Sequence, residues 1–584
     1  MKTRECWLVF LMTATFAASG VVSAGESEGP LAEAVASQTE LLAGVCVQIG
    51  GSEELTARLA ANPKLVLHRL DDNPGVVDRL QRRFRNSRQG ATVLVEHWAQ
   101  SYLPHADNSV NRIIAADPKG VSRDEIIRVL VPGGTAALGT GEQQTQMEKP
   151  WPEAMGQWTH QWSAADGALA SEDRMIGVPQ GLQWLAGPMF AMAGRKSSTQ
   201  SLVSAAGRNF YVTQNVLENV GRSDMDQYLV ARDAFNGIIQ WVRRWDGPFV
   251  RGDGETNPRL VGSADTLYAV GREGLLAVNA HDGETRKSVD LAPVPDKLVF
   301  SGGLLLAQSP DGVLAFDEPL EAPRWEFRDR TVHGTVVSGE RTLLLVSGRS
   351  KSGEFRHELV CLDLPTGETL WRTDTSPHVT SQEVRINFAQ QELVALVARG
   401  SLHVFAVDTG KHLWSASTDA RAGKRYVDER YVGHFYRHGL VWLLAENSPR
   451  TRDGQKVWLG LDPKTGKQQR VLQTRGQWPR SAAPAKMGCS LLIALDRYIM
   501  VPRQSTFIDF QTGEKHSFKF TRGGCGLGFV PANGLVYSQP HACGCFSEAM
   551  RGAWHDDLLW VVYFSAHEVW QGEKQSIYLA RVRV

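Results

Sequence analysis

The sequence predicts a mainly β protein in which a β-propeller follows a small α/β domain. The main observation is a phrase that returns along the chain: an aspartate, a tight turn closed by a glycine and, in several copies, an aromatic residue three or four positions later. The turn glycines of the six clearest copies are Gly237, Gly283, Gly367, Gly410, Gly466 and Gly513. Such a period, with short strands around each turn, is typical of propeller blades.

The spacing of the phrase sets the expected number of blades. Successive turn glycines are 43 to 56 residues apart, except for one interval of 84 residues, which contains a decayed copy at 314–327. Residues 155–584 therefore form the predicted propeller, with eight blades, or seven as the alternative. We expect ring closure to pair the terminal strand at 576–584 with an early segment near 202–212.

One copy explains the phrase physically. Before Asp363, apolar residues alternate as in a strand with one buried face. Gly367 closes the hairpin because glycine adopts the positive φ that tight turns require. Trp371 then begins the next strand, and its large ring is expected to be buried between two blades.

The N-terminus has the pattern of a secretory signal peptide at 1–24. Lys2 and Arg4 precede an apolar run at 7–18, and small residues lead to a cleavage site after Ala24. We therefore expect an exported protein, periplasmic or secreted. No later stretch reaches about 18 apolar residues, so no membrane span is expected after cleavage. Basic and acidic residues number 63 each, which argues against a nucleic-acid partner.

Residues 41–140 alternate between strand and helix patterns and predict a parallel α/β sheet. A first buried strand ends at Gly50 and Gly51, where a nucleotide-like ligand would sit. The predicted strands begin at VCVQIGG, KLVLHRLDD, ATVLVEHW and SVNRIIAAD, and the predicted helices are EELTARLAAN and PGVVDRLQRRFRN. RDEIIRVLVPGGTAAL reads as a helix, a Pro-Gly-Gly turn and a fifth strand.

This α/β segment resembles class I methyltransferases that use S-adenosylmethionine. The resemblance rests on IGGSEEL, on LPHADNSVNRIIAAD and, most specifically, on EIIRVLVPGG. It implies a Rossmann-like cofactor site with Gly50 and Gly51 at the methionine part, Asp71 or Asp72 at the ribose, and residues 96–98 at the adenine.

The glycine loop departs from the family pattern. Only two glycines remain, the loop is one residue short, and Glu53 and Glu54 follow where they would repel a ligand carboxylate. We therefore expect S-adenosylmethionine to bind weakly or not at all. A working methyltransferase is kept as an alternative.

From about Trp158 the chain resembles the quinoprotein alcohol dehydrogenase-like propellers, which have pyrroloquinoline-quinone (PQQ)-like repeats. The matching segments are WTHQWSAADG, VPQGLQWLAG and LVSAAGRNFYV. Together with the signal peptide and the methyltransferase-like domain, they resemble secreted proteins of planctomycete-type bacteria. The chain has neither an adjacent cysteine pair nor a Cys-x-x-Cys-His haem motif, so bound PQQ is not expected.

A cluster of cysteines and one histidine near the C-terminus is the strongest candidate for chemistry. We expect its members to be spatial neighbours; they are Cys489, Cys525, His541, Cys543 and Cys545. In an exported protein they predict disulfides, a copper or zinc site, or a redox-active dithiol.

No catalytic constellation is complete, so the sequence favours an exported binding or scaffold module with a protein or glycan partner. The alternative is an exported oxidoreductase or metalloenzyme that uses the Cys/His cluster or a quinone.

Overall fold

The computed structural model describes most of the chain between residues 43 and 581. The described ranges are 43–118, 120–139, 144–161, 164–186, 199–214, 227–247, 259–349, 355–379, 384–398, 401–417, 434–444, 457–475, 492–501, 506–518, 528–538, 552–555, 560–564 and 577–581.

The N-terminal region is a six-stranded sheet with three α-helices, as the alternating pattern predicted. Its strands are β1 (Gly44–Ile49), β2 (Leu65–Asp71), β3 (Val93–His97), β4 (Val110–Ala115), β5 (Leu130–Leu138) and β6 (Thr145–Glu148). Its helices are α1 (Glu53–Ala60), α2 (Pro74–Arg85), α3 (Arg123–Val129) and a 3₁₀ turn (Arg88–Ala91). The strand order is β3-β2-β1-β4-β5-β6, with all neighbours parallel except β5 and β6.

Local sequence accounts for these elements. The Ser52 hydroxyl accepts a hydrogen bond from the Leu55 amide and caps α1, and the Asn73 side chain caps α2 just before Pro74. The predicted Pro-Gly-Gly turn lies inside β5 as a bulge, because the pairing with β4 shifts register there. The sixth strand of this sheet, β6, lies beyond residue 140, where the predicted α/β domain ends, and it pairs antiparallel with β5.

The strands after β6 form eight sheets in the described part of the chain. Seven have four antiparallel strands each, in the order of the chain. The first is β8 (Thr199–Ala205), β9 (Arg208–Gln214), β10 (Gln227–Asp233) and β11 (Ile239–Trp245). The second is β12 (Leu260–Gly262), β13 (Thr266–Val270), β14 (Gly274–Asn279) and β15 (Thr285–Asp290). The third is β16 (Lys297–Ser301), β17 (Leu304–Ser309), β18 (Gly312–Asp317) and β19 (Pro323–Arg328).

The fourth to seventh sheets repeat this plan. The fourth is β20 (Thr331–Ser338), β21 (Arg341–Arg349), β22 (Phe355–Asp363) and β23 (Thr369–Asp374). The fifth is β24 (Val384–Gln390), β25 (Leu393–Ala398), β26 (Ser401–Ala406) and β27 (His412–Ser417). The sixth is β28 (Phe435–Arg437), β29 (Leu440–Leu444), β30 (Val457–Leu461) and β31 (Gln468–Gln473). The seventh is β32 (Ile493–Ala494), β33 (Tyr498–Val501), β34 (Thr506–Asp509) and β35 (Lys515–Ser517).

The eighth sheet combines strands from both ends of the propeller region. Its strands are β36 (Val530–Ala532), β37 (Leu535–Ser538), β38 (Gly552–His555), β7 (Gly181–Ala186), β39 (Trp560–Phe564) and β40 (Ile577–Arg581). Strand β7 comes before the first sheet in sequence, so its pairing with β38 links the two ends of the region. The number of blades in the complete ring stays a prediction.

The expected pairing partner of the terminal strand was wrong. Strand β40 pairs with β39, which in turn lies beside β7. The segment near 202–212 is already paired within the first sheet, where β9 lies between β8 and β10. Strand β9 of that segment has a partner on both sides, and the outer side of β8 is bonded by Trp158 at Ser204, so β7 joins the last sheet instead.

The repeated tryptophan is buried between neighbouring sheets, as its position predicted. It makes two contacts with the next sheet, which we together call the tryptophan lock. Its ring lies where a side chain on the next sheet's turn glycine would be: a Cβ on Gly367 would stand 2.6 Å from the Trp325 ring. The indole N–H also donates to a carbonyl of that turn, as from Trp325 to Leu364 at 2.8 Å. The same pair of contacts joins Trp241 to Gly283, Trp371 to Gly410, Trp414 to Gly466 and Trp184 of β7 to Gly237.

The decayed copy shows what happens when the lock is lost. Strand β15 carries Lys287 where a tryptophan would stand, and the facing turn of the third sheet has no glycine. Leu320 instead adopts φ of +65° in that turn and is buried. Because no ring presses on the turn, a side chain fits there, so tryptophan and glycine are absent together.

Candidate functional site

The methyltransferase resemblance places a ligand at the carboxyl ends of β1, β2 and β3. Gly50 and Gly51 turn the chain there with φ of +60° and +83°. The buried Gln48 side chain donates to the carbonyl oxygens of Gly50 and Ser52, at 3.1 and 3.3 Å, and accepts from the Thr56 hydroxyl at 2.9 Å. The glycine turn is therefore held in place by the strand that precedes it.

Arg69 lies in this ligand position, which the sequence reading did not predict. Its side chain is 1% exposed, and its guanidinium is paired with the Asp71 carboxylate. One terminal nitrogen also donates to the carbonyl of Gly51 at 2.9 Å. The other terminal nitrogen stands 3.9 Å from the place of a Cβ on Gly51. The glycine turn is thus lined by a cation that belongs to the chain.

The burial of Arg69 has an electrostatic consequence. Removal from water lowers the pKa of the Arg69 guanidinium, and the nearby Asp71 carboxylate opposes that shift. The Nε and Nη1 atoms of Arg69 have no hydrogen-bond partner among the described residues. Asp71 is thus the counter-ion that keeps a buried charge tolerable.

Of the two acids proposed for the ribose, Asp71 is engaged by internal hydrogen bonds and Asp72 is exposed. One Asp71 oxygen accepts from Arg69, and the other accepts from the Asn73 amide at 2.9 Å. Asp72 is exposed, and its backbone carbonyl lies 3.0 Å from Nε2 of His97. Of the two predicted acids, the structure therefore brings Asp71 to the glycine turn, but already engaged.

The expected adenine region is also held by internal contacts. The Glu96 carboxylate lies 3.2 Å from Nε2 of His68, and the other His68 nitrogen lies 3.0 Å from His105. The hydrogen bond from His68 is the main cause of the lowered pKa of Glu96. The Trp98 indole donates to the carbonyl of Tyr102 at 2.7 Å.

The other end of the same sheet, where the amino-terminal end of β4 lies, contacts the propeller. The Asn111 amide donates to Asp233 at 2.6 Å and accepts from Asn236 at 2.8 Å, so it is bound to the Asp-Gly turn of the first sheet. Gln183 of β7 donates to the carbonyl of Asp107 at 3.0 Å. The carboxyl ends of β1, β2 and β3, where the resemblance places a ligand, therefore face away from the propeller.

The C-terminal Cys/His cluster cannot be placed, because Cys489, Cys525, His541, Cys543 and Cys545 all lie outside the described residues. Its reading as disulfides or a metal site stays a prediction. Across the described ranges, no group of His, Cys, Asp or Glu side chains could hold a metal ion. Cys46 and Cys361 are buried free thiols, and burial raises their pKa to about 12 and about 11.

The comparisons with known proteins agree with this architecture. Residues 309–481 and 355–514 match the family model described as "Outer membrane protein assembly factor BamB". A protein of that name from Burkholderia pseudomallei (strain K96243) is 27% identical over 191 residues, which is 30% of this chain and 48% of the relative. The chain thus spans about half the length of that curated relative.

Two solved structures are similar to different parts of the chain. Quinohemoprotein alcohol dehydrogenase from Comamonas testosteroni covers 68% of this chain and 80% of its own, at 11% identity and a TM-score of 0.44. A putative S-adenosyl-L-methionine-dependent methyltransferase from Methanococcus maripaludis covers 19% and 54%, at 22% identity and a TM-score of 0.17. At these values neither likeness bears on activity.

The chain contains a PQQ-like β-propeller, part of which is similar to the BamB family, and a methyltransferase-like α/β domain. In the part of the chain that the structure describes, no helix is long and apolar enough to cross a membrane.

Proposed function

We propose that this protein is an exported binding or scaffold module whose methyltransferase-like domain does not transfer methyl groups. The observation that carries the second half of this proposal is the buried pair of Arg69 and Asp71 at the glycine turn. The pair occupies the place where the resemblance puts the cofactor.

The chemistry of S-adenosylmethionine does not fit these residues. Its sulfonium is a cation, and a buried guanidinium beside the glycine turn would repel it in a medium of low dielectric constant. The carboxylate expected at the ribose is part of an internal network: one Asp71 oxygen accepts from Arg69 and the other from the Asn73 amide. Binding would require the pair to separate, which leaves a buried charge without its partner.

A protein partner is supported by the relationship to assembly factors and by the surface of the propeller. A groove of about 380 Å³ lies between the fourth and fifth sheets. It contains the ion pair of Arg341 and Asp408, at 3.1 Å, beside Leu370, whose side chain is largely solvent-exposed at 44%. Charged groups around an exposed apolar side chain are suited to a polypeptide ligand.

The first test is calorimetric titration of the full chain with S-adenosylmethionine. We expect no binding heat at ligand concentrations up to about 1 mM, which corresponds to a binding free energy weaker than about −4 kcal/mol. Micromolar affinity that disappears in Asp71→Asn would contradict the proposal, because it would show a working cofactor site.

The second arm of the test addresses the partner. Chemical cross-linking in the exporting cell is expected to join one protein to the wild type in a fixed ratio and to lose it in Leu370→Asp. Val471→Asp is the matched control, because Val471 is equally apolar and 51% exposed but lies on β31 of the sixth sheet. Equal cross-linking in all three proteins would place the partner elsewhere than the groove.

A further inference from the structure

Residues 156–161 and 164–173 lie between the α/β domain and the first sheet, and we call these two described stretches together the axial strap. Its two ends meet. The Arg174 amide donates to the carbonyl of Ala154 at 2.9 Å. A Cβ on Gly156 would lie only 2.4 Å from the backbone nitrogen of Asp173. The two ends of the strap therefore lie side by side.

The first half of the strap binds consecutive sheets by its backbone. The Gly156 carbonyl accepts from Asn533 of the eighth sheet, and Trp158 exchanges two hydrogen bonds with Ser204 of the first, at 2.9 and 2.8 Å. The Thr159 carbonyl accepts from Gly262 of the second sheet at 2.9 Å. The ring nitrogen of His160 accepts from the Phe300 amide of the third sheet at 2.9 Å.

The second half continues the same path. The Ala165 carbonyl accepts from Val337 of the fourth sheet at 2.9 Å, and the Asp166 carbonyl accepts from Ala389 of the fifth at 2.8 Å. Leu169 and Ser171 both bond the backbone of Ala494 in the seventh sheet at 2.8 Å.

Two side-chain contacts complete the circuit. The Ser171 hydroxyl donates to the carbonyl of Pro531 in the eighth sheet at 3.0 Å. The exposed Glu172 carboxylate lies 3.5 Å from the guanidinium of Arg437 in the sixth sheet. In the described residues, all eight sheets are therefore touched by one short segment.

These contacts share one end of the propeller. Each backbone partner lies in the later part of the first strand of its sheet, or directly after it, as Ser204 does in β8, Val337 in β20 and Ala389 in β24. The first strand of a sheet is an edge strand, whose backbone groups on one side need partners from outside the sheet. The strap supplies such partners to every described sheet except the sixth, always at the same end.

We propose that the axial strap closes one mouth of the propeller channel and ties the sheets into a ring, so that ligands can reach the axis only from the end where the first strands begin. Two carboxylates anchor it, the half-buried Asp166 and the fully buried Asp173. Asp166 accepts from the Gln390 side chain at 2.7 Å, and Asp173 accepts from the Gly534 amide at 2.7 Å. Because the strap binds mainly through backbone hydrogen bonds, we expect it to stay bound to the sheets in the folded protein.

Hydrogen exchange measured by mass spectrometry on the full chain tests this proposal. Gly156→Val forces the two strap ends apart. We expect the amides of Gly262, Val337, Ala389 and Ala494 to exchange at least tenfold faster together, while amides of β23 and β27 keep their protection. Gly334→Val is the matched control, because a Cβ there would find its nearest atom at 3.8 Å and Gly334 touches no strap residue.

Loss of protection confined to the neighbourhood of Gly156, or no loss at all, would overturn the proposal. Should Gly156→Val fail to fold, the wild type in mild denaturant gives the second measurement. The four amides must then open with one shared free energy, since one segment protects them all. Clearly different opening free energies would contradict the strap as a single tie.

Discussion

Large buried side chains have different roles in the α/β domain and in the propeller. In the α/β domain, Arg69 and Asp71 fill a place where the fold could hold a ligand. In the propeller, Trp325 and its equivalents fill the space between sheets, where no ligand is expected. The first arrangement removes a possible activity, whereas the second builds the fold.

The two arrangements also respond differently to change. The Arg69–Asp71 pair occurs once, so a single substitution unbalances it. The tryptophan lock occurs at five seams of the described sheets, and the seams before the third and the seventh sheets exist without it. A unique ion pair is therefore expected to be more sensitive than any one of several repeated contacts.

The largest effect should come from Asp71→Ala. Removal of the carboxylate leaves the Arg69 guanidinium buried and unpaired, which is expected to lower the free energy of unfolding by about 4 kcal/mol in urea denaturation. Asp78→Ala is the control: Asp78 pairs with Arg82 on the surface, where both side chains are more than half exposed. That change should be smaller than about 0.5 kcal/mol. Equal effects of the two variants would show that the buried pair has no special role.

A smaller effect is expected from Trp325→Ala, which removes one lock between the third and fourth sheets. Loss of the buried ring and of its hydrogen bond to Leu364 should lower the free energy of unfolding by about 3 kcal/mol. Lys287→Ala, at a seam that has no tryptophan lock, should leave thermal and urea unfolding almost unchanged. A destabilisation by Lys287→Ala as large as that by Trp325→Ala would mean that the tryptophan is not what joins the sheets.

The smallest predicted effect is a change in acid sensitivity. His434 is 1% exposed, and burial lowers its pKa from 6.5 to about 4. Below pH 6.5 the unfolded chain binds a proton that the folded chain does not, so His434 makes stability fall from pH 6.5 towards pH 4. This contribution amounts to about 2 kcal/mol between pH 7 and pH 5.

Urea unfolding at several pH values checks this sign. In His434→Gln the loss of stability between pH 7 and pH 5 should be smaller than in the wild type by that amount. An unchanged pH slope would contradict a neutral, buried His434.

Much of the fold could be predicted because it depends on local rules. The Asp-Gly turns and the strands around them were correct, and so was the burial of tryptophan between sheets, since each needs only a few neighbouring residues. The order of strands and helices in the α/β domain followed in the same way from apolar periodicity. The sequence of β7, GLQW, even repeats the tryptophan of the blade phrase, a signal that could have identified Trp184 as the closing lock.

The candidate site was predicted only in part. Gly50, Gly51 and Asp71 do come together, yet the sequence reading gave Asp71 to a ligand and overlooked Arg69. A signal was present: Arg69 and Asp71 are two residues apart in a strand, so their side chains share one face.

What the sequence by itself determined is the set of repeating units, because turns, caps and strand alternation are short-range. Only the tertiary structure decided that Arg69 lies at the glycine turn, that β7 joins the last sheet, and that the axial strap touches all eight of the described sheets. The place of β7 and several strap contacts depend on partners hundreds of residues away, whereas Arg69 depends on the turn at Gly51 and on Asp71. The strap also binds mainly through backbone N–H and C=O groups, which every non-proline residue carries, so its side chains leave no periodic mark in the sequence.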